Sequence, residues 1–122
     1  MSAFKGIALG CGNFGGVGSS PAFFGQGTPE EEAVAIMDRA WENGIRWFDT
    51  ADAYGGGRSE AFIGRWRASR KPDGLLVTTK VFHSTVGNPD DHGLDPTRIR
   101  RQVEDSLTRL GVERIDLYLA HE

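Results

Sequence analysis

The chain has one cysteine, Cys11, so no disulfide framework can form, and that fits a reducing cytoplasm. No apolar run approaches the ~20 residues needed to span a bilayer. The opening Met1–Lys5 lacks the long apolar region of a signal peptide. There is no surplus of positive charge. The net charge is −3 and the cations are mostly arginines scattered along helices, which leaves no electrostatic case for nucleic acid or an anionic membrane. Histidine is scarce. His83, His92 and His121 match no common metal-ligand spacing, and no metal is expected. Internal repeats and low-complexity tracts are absent as well.

What is present suits one soluble globular domain of 122 residues, 39% hydrophobic and 25% charged. Gly6–Gly10 reads as a first buried strand. A long glycine-rich loop, Cys11–Gly27, follows, of a length often tied to function. Thr28-Pro29-Glu30-Glu31 predicts a helix start, with Thr28 as N-cap and Glu31 closing a capping box. That helix runs to about Asn43, where Gly44 supplies a left-handed C-terminal cap. Ile45–Phe48 is a second strand ended by Asp49. Ser59 is expected to cap the next helix, after a flexible glycine run, Gly55–Gly57. Leu75–Thr79 is a third strand ending at Lys80. Asp95-Pro96 opens a third helix with a buried stripe of Ile99, Val103, Leu107 and Leu110, and Gly111 stops it. Ile115–Ala120 is a fourth strand that ends at His121. Apolar strands alternating with amphipathic helices predict a parallel α/β sheet with right-handed crossovers.

Three strands thus end in an ionisable residue: Asp49, Lys80 and His121. Tyr54 lies five residues past the first of these. In a parallel sheet all strand C-termini share one face, and that face carries the ligand. Singly, each residue has an ordinary explanation as a turn, cap, loop anchor or solvated charge. Together they form a proton-transfer set. A tyrosine hydroxyl, with its usual pKa near ~10, parts reluctantly with its proton. A neighbouring lysine ammonium favours tyrosinate, an aspartate holds the lysine charged, and a histidine can donate to a substrate carbonyl.

Two long segments carry a family resemblance. Trp47–Tyr54 (WFDTADAY) with Gly55 and Ser59-Glu60 resembles the signature of the aldo-keto reductases. So does Leu107–Gly111 followed by Ile115–Tyr118 and His121. The resemblance reaches from Leu9-Gly10 to His121. It implies a (β/α)8 barrel of TIM type that reduces aldehydes and ketones with NADPH. Tyr54 would be the general acid, Lys80 and Asp49 would support it, and His121 would orient the carbonyl. Gly10, Cys11, Gly12 and Asn13 would lie against the cofactor together with Asp49. Phe14, Phe23, Phe24, Trp47 and Phe82 are candidates to line the substrate pocket. Members often carry a tryptophan just after the first strand, and here Gly12 or Asn13 stands in that region.

Length departs from the family. A full barrel takes ~250 residues, whereas residues 1–122 supply four βα units, the N-terminal half. The chain is therefore a fragment of a reductase, a half completed by a second chain, or a stable half-barrel without activity. The first is favoured. A non-catalytic binding or regulatory module of the same type is the rival from another class. A short-chain dehydrogenase is disfavoured. Its Tyr and Lys typically lie four residues apart on one helix, while Tyr54 and Lys80 are 26 apart on different strand ends. A glycine turn that opens a helix directly after the first strand is also missing.

Overall fold

The computed structural model describes residues 6–122, and Met1–Lys5 lies outside them. Four strands alternate with three helices among the described residues: β1 (Ala8–Gly10), α1 (Glu30–Glu42), β2 (Trp47–Asp49), α2 (Arg58–Arg70), β3 (Leu76–Val81), α3 (Pro96–Leu110) and β4 (Leu117–Ala120). The strands form one parallel sheet in the order β1-β2-β3-β4, as the alternation predicts. None of the described helices is long and apolar enough to cross a membrane.

Side chains alternate between the two faces of this sheet. The register sets Gly10, Asp49 and Thr78 side by side, with Lys80 beside Leu119 one layer further along the strands. The opposite face carries Phe48 and Val77 and packs on the helices. There Phe48 meets Trp66 of α2 at 5.2 Å between ring centroids, and Cys11, Phe14, Met37, Phe62, Ile63 and Leu110 complete the core. The apolar core therefore lies between sheet and helices. The face that bears Asp49 and Lys80 is only partly covered, and Leu119 on it is 40% exposed.

Helix boundaries follow the caps in two cases. Asp95 accepts from the Thr97 amide at 3.0 Å and Pro96 opens α3, which ends at Gly111 with φ 66°. Gly44 after α1 is left-handed as expected. Two caps differ from expectation. Thr28 does not cap α1, because its amide and carbonyl are bound by Asn13 and Gly15 of the preceding loop, and Pro29 holds the N-cap position. Ser59 does not cap α2 either. Gly57, at φ 96°, does. Ser59 is drawn into the interior, where its hydroxyl donates to the Cys11 carbonyl and pairs with Thr50 Oγ1.

The stripe on α3 also differs. The fully buried residues are Arg98, Gln102, Ser106 and Leu110, while Ile99, Val103 and Leu107 are half-buried. The polar face turns inward because buried acceptors await it. Gln102 donates to Asp52 Oδ2 at 3.0 Å, and Arg109 Nε donates to Glu60 Oε1 at 2.8 Å. Asp52 and Glu60 are both 0% exposed.

Helices α2 and α3 touch where Gly64 leaves no side chain. A Cβ there would stand 2.0 Å from the Arg109 carbonyl oxygen. Gly64→Ala should therefore cost roughly 1–3 kcal/mol by overpacking. Urea unfolding checks this, and an unchanged midpoint would contradict the close approach.

Burial raises the Asp52 carboxyl to about 6, against the opposing hydrogen bond from Gln102. Unfolded, it returns to about 3.9. Between those values the folded state binds more protons than the unfolded one. The group's contribution to stability therefore falls as pH rises through that window, by about 3 kcal/mol for two pKa units. Asp52→Asn should thus gain on the parent between about pH 4 and about pH 7. The two urea midpoints, followed across that range, test the sign, and a difference independent of pH would refute it.

Candidate functional site

The site is built where two glycine-bearing loops meet above the C-terminal ends of β1 and β2. Gly55 donates its amide to the Gly18 carbonyl at 3.0 Å. A Cβ on Gly16 would lie 2.7 Å from Gly55 Cα, and one on Gly55 would lie 2.7 Å from the Phe14 carbonyl oxygen. Only residues without side chains allow this backbone contact. The run Gly55–Gly57 was expected to be flexible. It is a packed left-handed turn with all three φ angles positive and Gly55 and Gly57 buried. Its closure fixes Tyr54, whose ring lies against Gly12.

Behind Tyr54 the loop is anchored in the sheet. The Thr50 amide donates to the Thr78 carbonyl at 2.8 Å and the Asp52 amide to the Lys80 carbonyl at 3.1 Å. Thr50, Ala51, Asp52 and Ala53 are all 0% exposed. Asp49 and Tyr54 therefore sit at the two ends of a buried segment, both directed toward β3.

Lys80 is the meeting point. Its Nζ donates to Asp49 Oδ2 at 3.1 Å, to the Thr50 carbonyl at 3.0 Å and to the Tyr54 hydroxyl at 3.4 Å. The Lys80 side chain is only 13% exposed, so its charge is compensated within this cage. Lys80 lies inside β3 instead of just past its end, because the strand continues to Val81. His121 follows β4 directly, and its amide donates to the Val81 carbonyl at 3.0 Å. Its ring meets Tyr54 edge-on at 5.4 Å between centroids. All four residues reached from the strand ends are thus gathered at one place.

The other expected residues divide. Gly10 and Gly12 lie on the open side of the site. A Cβ at Gly10 would meet nothing within 4 Å, and one at Gly12 would meet the Tyr54 ring at 3.7 Å. Cys11 requires a correction. Its side chain is 0% exposed, its thiol donates to the Leu9 carbonyl, and its amide and carbonyl are taken by Asp49 and Ser59. Burial, with the Asp49 charge nearby, pushes that thiol far up, so it is a neutral core group. Gly10, Gly12 and Gly15 carry the spacing of a dinucleotide turn, but a loop follows them where such a turn would open a helix.

Of the aromatic candidates, Phe14 belongs to the core and Phe24 packs on Gly56. Phe23 is 45% exposed. Trp47 donates its indole N–H to Thr78 Oγ1 on the site-bearing face. Phe82 stands between the rings of His83 and His92. His83, read as a loop histidine, is nearer the site than that. Its ring lies 4.9 Å from that of His121, and its Nε2 is 3.2 Å from Glu122 Oε1. Its position three residues past Lys80 was the available signal.

A parallel sheet whose strand ends gather Asp49, Lys80, Tyr54 and His121 around open backbone defines an α/β protein with a cluster of ionisable side chains on one face. Comparison with known proteins then settles the family. The model of the Aldo/keto reductase family matches residues 6–122, and the chain belongs to that family. An uncharacterized oxidoreductase of Bacillus subtilis (strain 168), YrpG, is 39% identical over 109 residues, covering 80% of this chain and 33% of that protein. The D-threo-aldose 1-dehydrogenase of a Pseudomonas species is 34% identical over 113 residues, covering 76% of this chain and 34% of that protein. Among solved structures, a glycerol dehydrogenase from Gluconobacter oxydans superposes with a TM-score of 0.74 at 37% identity, covering 93% of this chain and 34% of that one. An aldo-keto reductase from Klebsiella pneumoniae in complex with NADPH gives 0.66 at 25% identity, covering 94% of this chain and 34% of that one. The chain spans about a third of the length of these curated relatives, and its sheet is a partial TIM-type barrel.

The His121 ring is shifted toward its neutral form. Burial lowers its pKa first, and the Lys80 and His83 charges lower it further. Removing a cation must raise it. Lys80→Met should therefore move the His121 midpoint upward in an NMR titration, and a downward or absent shift would show that the ammonium does not face the ring.

Proposed function

We propose that the chain carries the proton-transfer centre of an oxidoreductase that reduces aldehydes and ketones to alcohols with NADPH. The observation that carries this reading is the Lys80 ammonium, bonded at once to Asp49 Oδ2 and to the Tyr54 hydroxyl. Such an ammonium lowers the cost of a phenolate, so Tyr54 can release its proton to a carbonyl oxygen as negative charge builds there. Asp49 and the Thr50 carbonyl keep Lys80 directed at Tyr54. The His121 ring offers an N–H to the same carbonyl oxygen and orients it. The residues present fit the cofactor. Gly12 presents side-chain-free backbone against the Tyr54 ring, Gly10 pairs with Asp49 in the sheet, and these residues would hold the cofactor. NADPH, when bound, supplies the hydride that reduces the carbonyl carbon. Tyr54 then regains its proton from solvent. The names of the relatives, an aldose dehydrogenase and a glycerol dehydrogenase, favour small hydroxylated carbonyl compounds and their alcohols as substrates.

The reading extends to architecture. Residues 1–122 form the N-terminal half of a (β/α)8 barrel, working in the cytoplasm. Its partners are a small carbonyl substrate, with no nucleic acid or membrane, and the strands that complete the barrel. Those strands come from further sequence of the same protein or from a second chain. The half-exposed face that bears Asp49, Lys80 and Leu119 favours such a covering. Without it, the half-barrel acts only as a non-catalytic or regulatory binding module.

Tyr54→Phe decides the role of the acid. NADPH-linked reduction of a generic aldehyde should fall by about 10²–10⁴-fold, while quenching of Trp47 fluorescence by NADPH persists. Undiminished reduction would remove Tyr54 from the chemistry.

A further inference from the structure

Two buried carboxylates bracket Tyr54, and neither has a part in the chemistry above. Asp52 precedes it and Glu60 follows it. Both turn away from the site, toward α3. Asp52 accepts from Gln102, and Glu60 accepts from Arg109 Nε and from the Thr79 hydroxyl. Thr79 is the residue before Lys80. Tyr118, three residues before His121, shares its register position with Thr79 on the same face of the sheet. Every member of the Asp49, Tyr54, Lys80 and His121 set is thus within three residues of a group in this buried cluster.

The cluster is not what packing alone would select. Asp52 Oδ1, Ser106 Oγ, Arg109 Nη2 and the Tyr118 hydroxyl are buried without a protein partner. Buried ionic groups of this kind are commonly replaceable by apolar residues of similar volume at no loss of stability. Their distribution matters more than their energy. The Asp52–Gln102 bond ties the segment that carries Asp49 and Tyr54 to α3, the Thr79–Glu60 bond ties the strand of Lys80 to α2, and the Glu60–Arg109 bond ties α2 to α3. Asp52 is additionally tied through its amide to the Lys80 carbonyl.

We infer that Asp52, Gln102, Glu60, Thr79 and Arg109 are positioning residues, a polar lock on the helix-facing side of the sheet that fixes the Tyr54 hydroxyl against Lys80. The inference rests on the reductase reading for its kinetic consequence, but not for its geometric one. The lock acts through backbone. Asp52 and Glu60 hold both ends of the glycine turn, so the turn cannot shift without breaking a buried bond. Thr79 holds β3 at the residue next to Lys80. Misplacement of a reacting group by about 1 Å costs on the order of a hundredfold in rate. The Lys80–Tyr54 contact, at 3.4 Å, leaves little room for such a shift.

The test replaces a bonded pair together, so that no unpaired charge is left behind. In Asp52→Leu/Gln102→Met the thermal midpoint should hold or rise, while kcat for aldehyde reduction falls roughly tenfold to a hundredfold at a little-changed KM. A purely structural cluster predicts that stability and rate move together. A second readout needs no turnover. The chain has two tyrosines, Tyr54 and Tyr118, so tyrosine labelled with ¹³C at Cζ gives two resonances, assigned by Tyr54→Phe and Tyr118→Phe. Both should move in the double variant. Movement of Tyr118 alone, or an unchanged kcat, overturns the lock. Thr79→Val, which exchanges one hydroxyl for a methyl, takes the same two measurements if the double variant fails to fold. If the protein with its barrel completed shows no turnover, the reductase reading fails, and the Tyr54 resonance still decides the positioning role.

Discussion

One buried ammonium organises the site. Lys80 Nζ has three donors, and they go to a carboxylate, a carbonyl and a phenol from a single segment, Asp49 to Tyr54. A lysine so placed must keep its charge compensated or lose it. The segment must therefore leave β2, pass under the ammonium and present Tyr54 within six residues. Such a path has no room for exposed backbone, and Thr50 to Ala53 are sealed off from solvent. The glycine contact between the loops after β1 and β2 supplies the matching constraint from above, since it lets the turn after Tyr54 close.

Much of this was legible in the sequence. Strand ends in a parallel sheet share one face, so ionisable residues at three such ends had to converge, and they do. Caps with a single local meaning, such as Asp95-Pro96 and the glycines after α1 and α3, also read correctly. Misreadings arose where a residue had two plausible partners. Thr28 and Ser59 have the chemistry of N-caps, but each is engaged by a distant segment: Thr28 by the loop at Asn13 and Gly15, Ser59 by Thr50 and Cys11. Local propensity cannot register a competitor 48 residues away.

The buried face of α3 shows the same limit more sharply. Periodicity picks out Ile99, Val103 and Leu107, because hydrophobicity is the only signal it weighs. The helix instead buries Arg98, Gln102 and Ser106. Gln102, and Arg109 beside it, find acceptors already inside, Asp52 and Glu60, which lie outside α3. Arg98 adds its own ties, donating to Asp91 and to the His83 and Gly93 carbonyls, and so fastens the loop after β3.

Two layers therefore divide the labour on opposite faces of one thin sheet. Toward the open face stand Asp49, Tyr54, Lys80 and His121, all partly exposed. Toward the helices stand charged groups that cost stability and reach no substrate. The apolar core, with Phe48 against Trp66, would hold the sheet on its helices without Asp52 or Glu60. Apolar packing resists separation but tolerates sliding, whereas a directional bond to a fixed donor does not. Holding a phenol within reach of an ammonium is a matter of tenths of an ångström. That demand accounts for a polar interior behind Tyr54 and Lys80, whereas packing alone accounts for the apolar one behind β1 and the start of β2.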